Sequence, residues 1–100
     1  MVQITPINSD NACMGLSVSW EKGQFVMIVT PKGLVSCGIV DKAVIEKFHF
    51  AVAIAHGTPE LPLVTPEDLL KAKVTEVSEE AKKLGVLEGM TGREALKLLS

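Results

Sequence analysis

The chain has 100 residues, 47% of them apolar, and ten basic against twelve acidic side chains give it a net charge of −2. That length suits one domain burying about two thirds of its surface. The small net charge, with no basic run, argues against a broad nucleic-acid or anionic-membrane surface. The opening MVQITPINSD lacks the basic and apolar regions of a secretory signal. The longest apolar run, FHFAVAIAH (48–56), falls short of the roughly 20 residues that cross a bilayer. A cytoplasmic protein is expected. Cys13 and Cys37 form no CxxC, and His49 and His56 stand at no ligand spacing, so no metal, cofactor or disulfide framework is expected.

Residues 1–40 carry four of the chain's 22 charges, Asp10, Glu21, Lys22 and Lys32. They read as strands: VQITPIN (2–8), CMGLSVSW (13–20), QFVMIVT (24–30) and LVSCG (34–38). Glu21-Lys22-Gly23 and Pro31-Lys32-Gly33 are hairpin links, which predicts an antiparallel meander. Such sheets usually have one wet face, yet Phe25-Val26-Met27-Ile28-Val29 is apolar on both. Cover from the chain's own helices or from a second copy would explain this, and the scarcity of helices favours the copy. Trp20, beside the first link, reads as a sheet or interface anchor.

From residue 41 the pattern turns helical. Asp41 caps a short helix running to about Phe48, with Ala43, Val44 and Phe48 apolar. FAVAIAH (50–56) follows as a strand and 57–66 as a proline-rich loop. Thr65-Pro66-Glu67-Asp68 is a helix start. Val74, Val77, Ala81 and Leu84 recur at helical spacing, and Gly85 stops that helix after Lys82 and Lys83. Glu79 and Lys83 fit an i, i+4 pair on a solvated face. Thr91 and Glu94 form a capping box before Ala95, Leu96, Leu98 and Leu99. The expected fold is thus a mixed α/β (α+β) single domain, residues 1–100. An N-terminal antiparallel meander precedes a β-α-β-like segment and three short helices, with 1–40 a β-rich oligomerisation half and 41–100 a helical half.

Three segments resemble the YunC-like family of small bacterial and archaeal domains of unknown function. LGVLEGMTGREALKLL (84–99) is similar to its LGI-x-x-GM-[ST]-GREAL motif, LVSCGIVD (34–41) to its strand-Cys-Gly-x-x-Asp segment, and VTPEDLL (64–70) to a short helix. The opening Val2 to Ile7 resembles V-x-x-TPI. The resemblance implies a fold and a tetramer assembled through an amino-terminal β region, and no established activity. The stretch from His56 to Leu63 is longer and richer in proline than the family pattern, so nothing carries over to His56.

Two constellations could hold chemistry. If the strands at 34–38 and 50–56 are parallel neighbours, Cys37 and His56 end on one sheet edge, where open α/β sheets bind ligands. A thiol near a helix start with a histidine beside it makes a nucleophile and base, and Asp41 would orient the imidazole. Against this, free cysteine packs well as a small hydrophobe, and a connection of about 11 residues is short for a parallel crossover. We favour packing. The second constellation is the helix start Thr91-Gly92-Arg93, where N–H groups and a guanidinium suit a phosphate or carboxylate. No GxxxxGK[ST] or GxGxxG loop is present, and the capping box already uses some of those N–H groups. Three functions follow: a homo-oligomeric domain, most simply a tetramer; a small enzyme using Cys37 with His56 as base; and an anion-binding module at Arg93. Self-association is the expected partnership, with no nucleic acid or membrane partner.

Overall fold

A computed structural model describes residues 1–7 and 12–100. Two short glycine-bearing links, at 21–23 and 31–33, fold successive strands back on one another. β1 (Val2–Pro6), β2 (Met14–Trp20), β3 (Gly23–Val29) and β4 (Leu34–Ser36) form an antiparallel meander. The expected extension of β1 to Asn8, and the charge at Asp10, lie outside the described residues. The β3–β4 link closes tightly: the Thr30 N–H donates to the Gly33 carbonyl at 2.9 Å, and the Gly33 N–H to Thr30 Oγ1 at 2.9 Å.

Asp41 then caps α1 (Lys42–Lys47), its carboxylate accepting from the Ala43 N–H at 2.9 Å. α1 crosses to β5 (Val52–Ala55), which lies parallel to β4. Both strands are shorter than the sequence suggests, so the crossover has residues 37–51 to work with. α1 buries Ile45 against Val52 and Ile54, with Leu34 and Val40 alongside. Ala43 and Val44 of the helix, and Phe48 at its C-cap, stay exposed.

The loop after β5 leads into α2 (Pro66–Lys71), started by a capping box between Thr65 and Asp68. The expected single helix from Val74 to Leu84 is replaced by two elements. Val74–Val77 is a strand, β6, antiparallel to β5, and α3 (Glu79–Lys83) follows it. The physical reason is a bulge. Ile54 faces Glu76 but Ala55 faces Val74, leaving Thr75 as an extra residue on β6. The extra residue restarts the alternation, so Val74 and Val77, three apart, both turn inward and imitate a helical repeat. Ser78 then separates strand from helix. Its buried hydroxyl donates to the Phe50 carbonyl at 2.8 Å and accepts the Val52 and Ala81 N–H groups. On α3 the ion pairs form at i, i+3 rather than between Glu79 and Lys83: Lys82 with Glu79 at 3.3 Å and Lys83 with Glu80 at 2.6 Å. Gly85, with φ +97°, follows the helix end.

α4 (Gly92–Leu99) completes the fold through the Thr91–Glu94 capping box. Strand order in the sheet is β1-β2-β3-β4-β5-β6. One face carries the main core, where Val26, Ile28, Val35, Ala53, Ala55, Val74 and Val77 meet Leu69 and Leu70 of α2, Ala81 of α3, and Ala95, Leu96 and Leu99 of α4. α1 covers only the β4–β5 end of the other face. Fold and chain agree on a single α+β domain.

Candidate functional site

Strand register decides what the sheet edge can assemble. Ser36 faces Ile54 across the parallel β4–β5 pair, so Gly38 and His56 follow at equivalent positions beyond the strand ends. The His56 ring lies over Gly38: a Cβ there would stand 2.5 Å from His56 Cδ2. Cys37 shares the side of Val35 and is half-buried against the main core, under the α2–α4 layer. His56 has the parity of Val52 and Ile54, on the α1 side. The structure therefore brings the two residues to one edge while sending their side chains to opposite faces.

The imidazole is engaged at both nitrogens. Thr75 Oγ1 lies 2.6 Å from His56 Nδ1 and 3.2 Å from the Ile54 carbonyl oxygen. A threonine hydroxyl has one proton. Donated to the carbonyl, it leaves the oxygen to accept from His56 Nδ1–H. His56 Nε2 faces Glu76 at 3.4 Å, an ion pair that forms when Nε2 carries a proton as well. Asp41 spends its carboxylate on the α1 cap, and no hydrogen bond joins it to His56 among the described residues. Thr75 and Glu76, absent from the sequence reading, are the partners that hold the ring. They escaped because the bulge that aims them reads as helix.

At the second constellation the N–H groups are also spoken for. The Gly92 N–H donates to the Ala72 carbonyl at 2.8 Å, the Thr91 N–H to Glu94 Oε1 at 3.0 Å, and the Glu94 N–H to Thr91 Oγ1 at 3.2 Å. Gly92 is there for close approach, since a Cβ would collide with the Leu69 carbonyl oxygen of α2. Arg93 reaches Glu67 at 3.6 Å, with both side chains more than half exposed. The hydrogen bonds of Glu94 with the Thr91 backbone and hydroxyl hold its carboxyl below the usual range.

Two larger features remain. His56 sits at the rim of a cleft of about 580 Å³ between the 57–65 loop and α2, lined among others by Leu61, Leu63, Val64, Lys71 and Lys73. The other is the uncovered face of the meander. In register, Val2 meets Val18, Ile4 meets Leu16, Leu16 meets Met27, Val18 meets Phe25 and Met14 meets Val29. These side chains form one continuous apolar surface on the α1 side. Val2, Ile4, Met14, Trp20 and Val29 are exposed, and Leu16, Val18, Phe25 and Met27 are only partly covered. The sequence asked what covers the two apolar sides of β3. Helices cover Val26 and Ile28; nothing within the described chain covers the other side.

A bulged six-stranded sheet with a parallel β4-α1-β5 unit and two capped helices on one face defines a class of small α+β domains. The chain belongs to the DUF1805 family, described as a domain of unknown function, whose model matches residues 36–99. It is 31% identical over 97 residues to the uncharacterized protein YunC of Bacillus subtilis (strain 168), covering 96% of this chain and 95% of that protein. The crystal structure of TA1206, a protein of unknown function from Thermoplasma acidophilum, superimposes with a TM-score of 0.86 at 26% identity. The match covers all of this chain and 94% of the other. The YunC-like resemblance seen in the sequence is therefore a membership of a family described as of unknown function.

Proposed function

We propose that this protein is a cytoplasmic homo-oligomeric domain, a tetramer, assembled through the uncovered face of its amino-terminal sheet. The observation that carries the reading is that surface. Nine apolar side chains of β1, β2 and β3 share it in strict register, and no charged residue occurs in those three strands. A monomer rarely leaves so extended an apolar patch in water, and a surface without charge offers a charged partner nothing to select. A flat, neutral sheet face is its own best complement about a two-fold axis.

A second apolar surface supports the tetramer over the dimer. α1 turns Val44 and Phe48 outward, and the Phe48 and Phe50 rings stack with centroids 5.8 Å apart while both remain more than half exposed. A closed tetramer of dihedral symmetry needs two kinds of self-complementary contact. The sheet face and the α1 surface supply two. Sedimentation equilibrium at micromolar concentration tests the reading: a species of four times 10.7 kDa is expected. A mass of 10.7 kDa across the concentration range refutes it.

A further inference from the structure

We propose that the cleft between the 57–65 loop and α2 binds a small amphipathic anion, a molecule with an apolar body and one carboxylate head. Its volume of about 580 Å³ falls within the range of roughly 300–1,000 Å³ typical of small-molecule sites. It opens beyond the carboxyl ends of the parallel β4–β5 pair, where α/β sheets place ligands. The wall is apolar and unusually bare: Leu61 is 76% and Val64 44% exposed, beside Pro62, Leu63 and Ala72. Covering such side chains gains roughly 25 cal/mol for each Å² removed from water.

The polar groups select the head. Lys71 and Lys73 line the cleft, and among the described residues neither has a carboxylate oxygen within 4.0 Å. The acids and the histidine around them are mostly committed. Asp68 accepts the Val64 and Thr65 N–H groups at 3.1 and 3.0 Å, and His56 is held by Thr75 and Glu76. Two ammonium groups without an ion pair among the described residues therefore line the cleft with Glu60 and with Asp68, which keeps its charge while it accepts those N–H groups. Lys71 also sits in the last turn of α2, where carbonyl groups carry partial negative charge. That charge, with Glu60, disfavours a doubly charged phosphate and leaves a single carboxylate as the better fit. α2, one wall of the cleft, packs on the sheet face opposite the exposed meander surface.

The test is a titration of the ¹⁵N-labelled full chain with sodium octanoate, followed by amide shifts, with 1-octanol and octylammonium as comparison probes. Saturable shifts at Thr58, Leu61, Leu63, Ala72 and Lys73 are expected at millimolar octanoate. Replacing both lysines, Lys71→Gln with Lys73→Gln, should weaken octanoate about tenfold or more and leave 1-octanol unchanged. Both lysines are exposed, so the variant keeps its fold, which its own amide spectrum verifies. Absence of saturable shifts in the cleft, shifts confined to the β1–β3 face, equal binding of octylammonium, or full octanoate affinity in the double variant would each overturn the proposal.

Discussion

Gly38 and His56 show how one side chain excludes another. The imidazole lies where a Cβ at position 38 would stand, and Thr75 and Glu76 keep it from swinging away. Gly38→Ala should destabilise the fold by about 1–3 kcal/mol, as overpacking does. His56→Ala in the same chain should recover much of that loss, because the two changes share one contact. Urea midpoints of the two single variants and the double variant measure the coupling; additive losses would show that the ring is not what Gly38 accommodates. The sequence placed Cys37 and His56 at one sheet edge on condition that their strands pair in parallel, and the parallel β4–β5 pairing puts them there. It offered no sign that Cys37 turns towards the core while His56 turns towards α1. Alternation gives that result only once strand register is known.

The helix starts were legible because capping is local chemistry. Thr65 with Asp68 and Thr91 with Glu94 close their boxes within three residues, and no distant contact is needed to recognise them. The caps also carry a pH dependence. Hydrogen bonds from the Thr65 and then the Val64 backbone lower the Asp68 pKa, and those of Thr91 lower that of Glu94. A folded pKa below the unfolded value adds stability that is present above the unfolded pKa and fades as pH falls through the folded one. With ordinary values of 3.8 and 4.5 for these groups, the urea midpoint should hold from neutrality to about pH 5 and decline below it. Asp68→Asn should start lower at neutral pH and fall less steeply in acid; an unchanged acid limb would remove Asp68 from the cause. β6 was illegible for the opposite reason. Its bulge comes from pairing with β5, and in one dimension Val74, Val77 and Ala81 are indistinguishable from a helix stripe.

For the molecule as a whole, the question is which apolar surface is core and which is contact. Leu16 and Met27 face each other across β2 and β3, half-covered and outside both buried clusters. The double variant Leu16→Lys with Met27→Lys should therefore leave far-UV circular dichroism unchanged and sediment as a monomer of 10.7 kDa. Two like charges at the centre of an isologous contact meet their own copies, and repulsion adds to the lost burial. A variant that stays associated would move the interface elsewhere. One that unfolds would mean that these side chains serve the protomer's own stability. Leu99→Ala is the contrasting substitution: Leu99 is fully buried in the main core, so a loss of about 2–5 kcal/mol is expected from truncation.

The order of charge and apolar residues along the chain was enough to establish the meander, its hairpin links, three helix starts and an amino-terminal half too poor in charge for a fully wet surface. Those features depend on alternation, turn chemistry and caps, which act over a few residues. Three matters were settled only by residues far apart in sequence meeting in space. Pairing with β5 made 74–77 a strand and aimed Thr75 and Glu76 at His56. Sheet register separated the Cys37 and His56 side chains. Folding α2 back against the 57–65 loop opened a cleft between Leu61 and the two lysines, which stand ten and twelve positions further along.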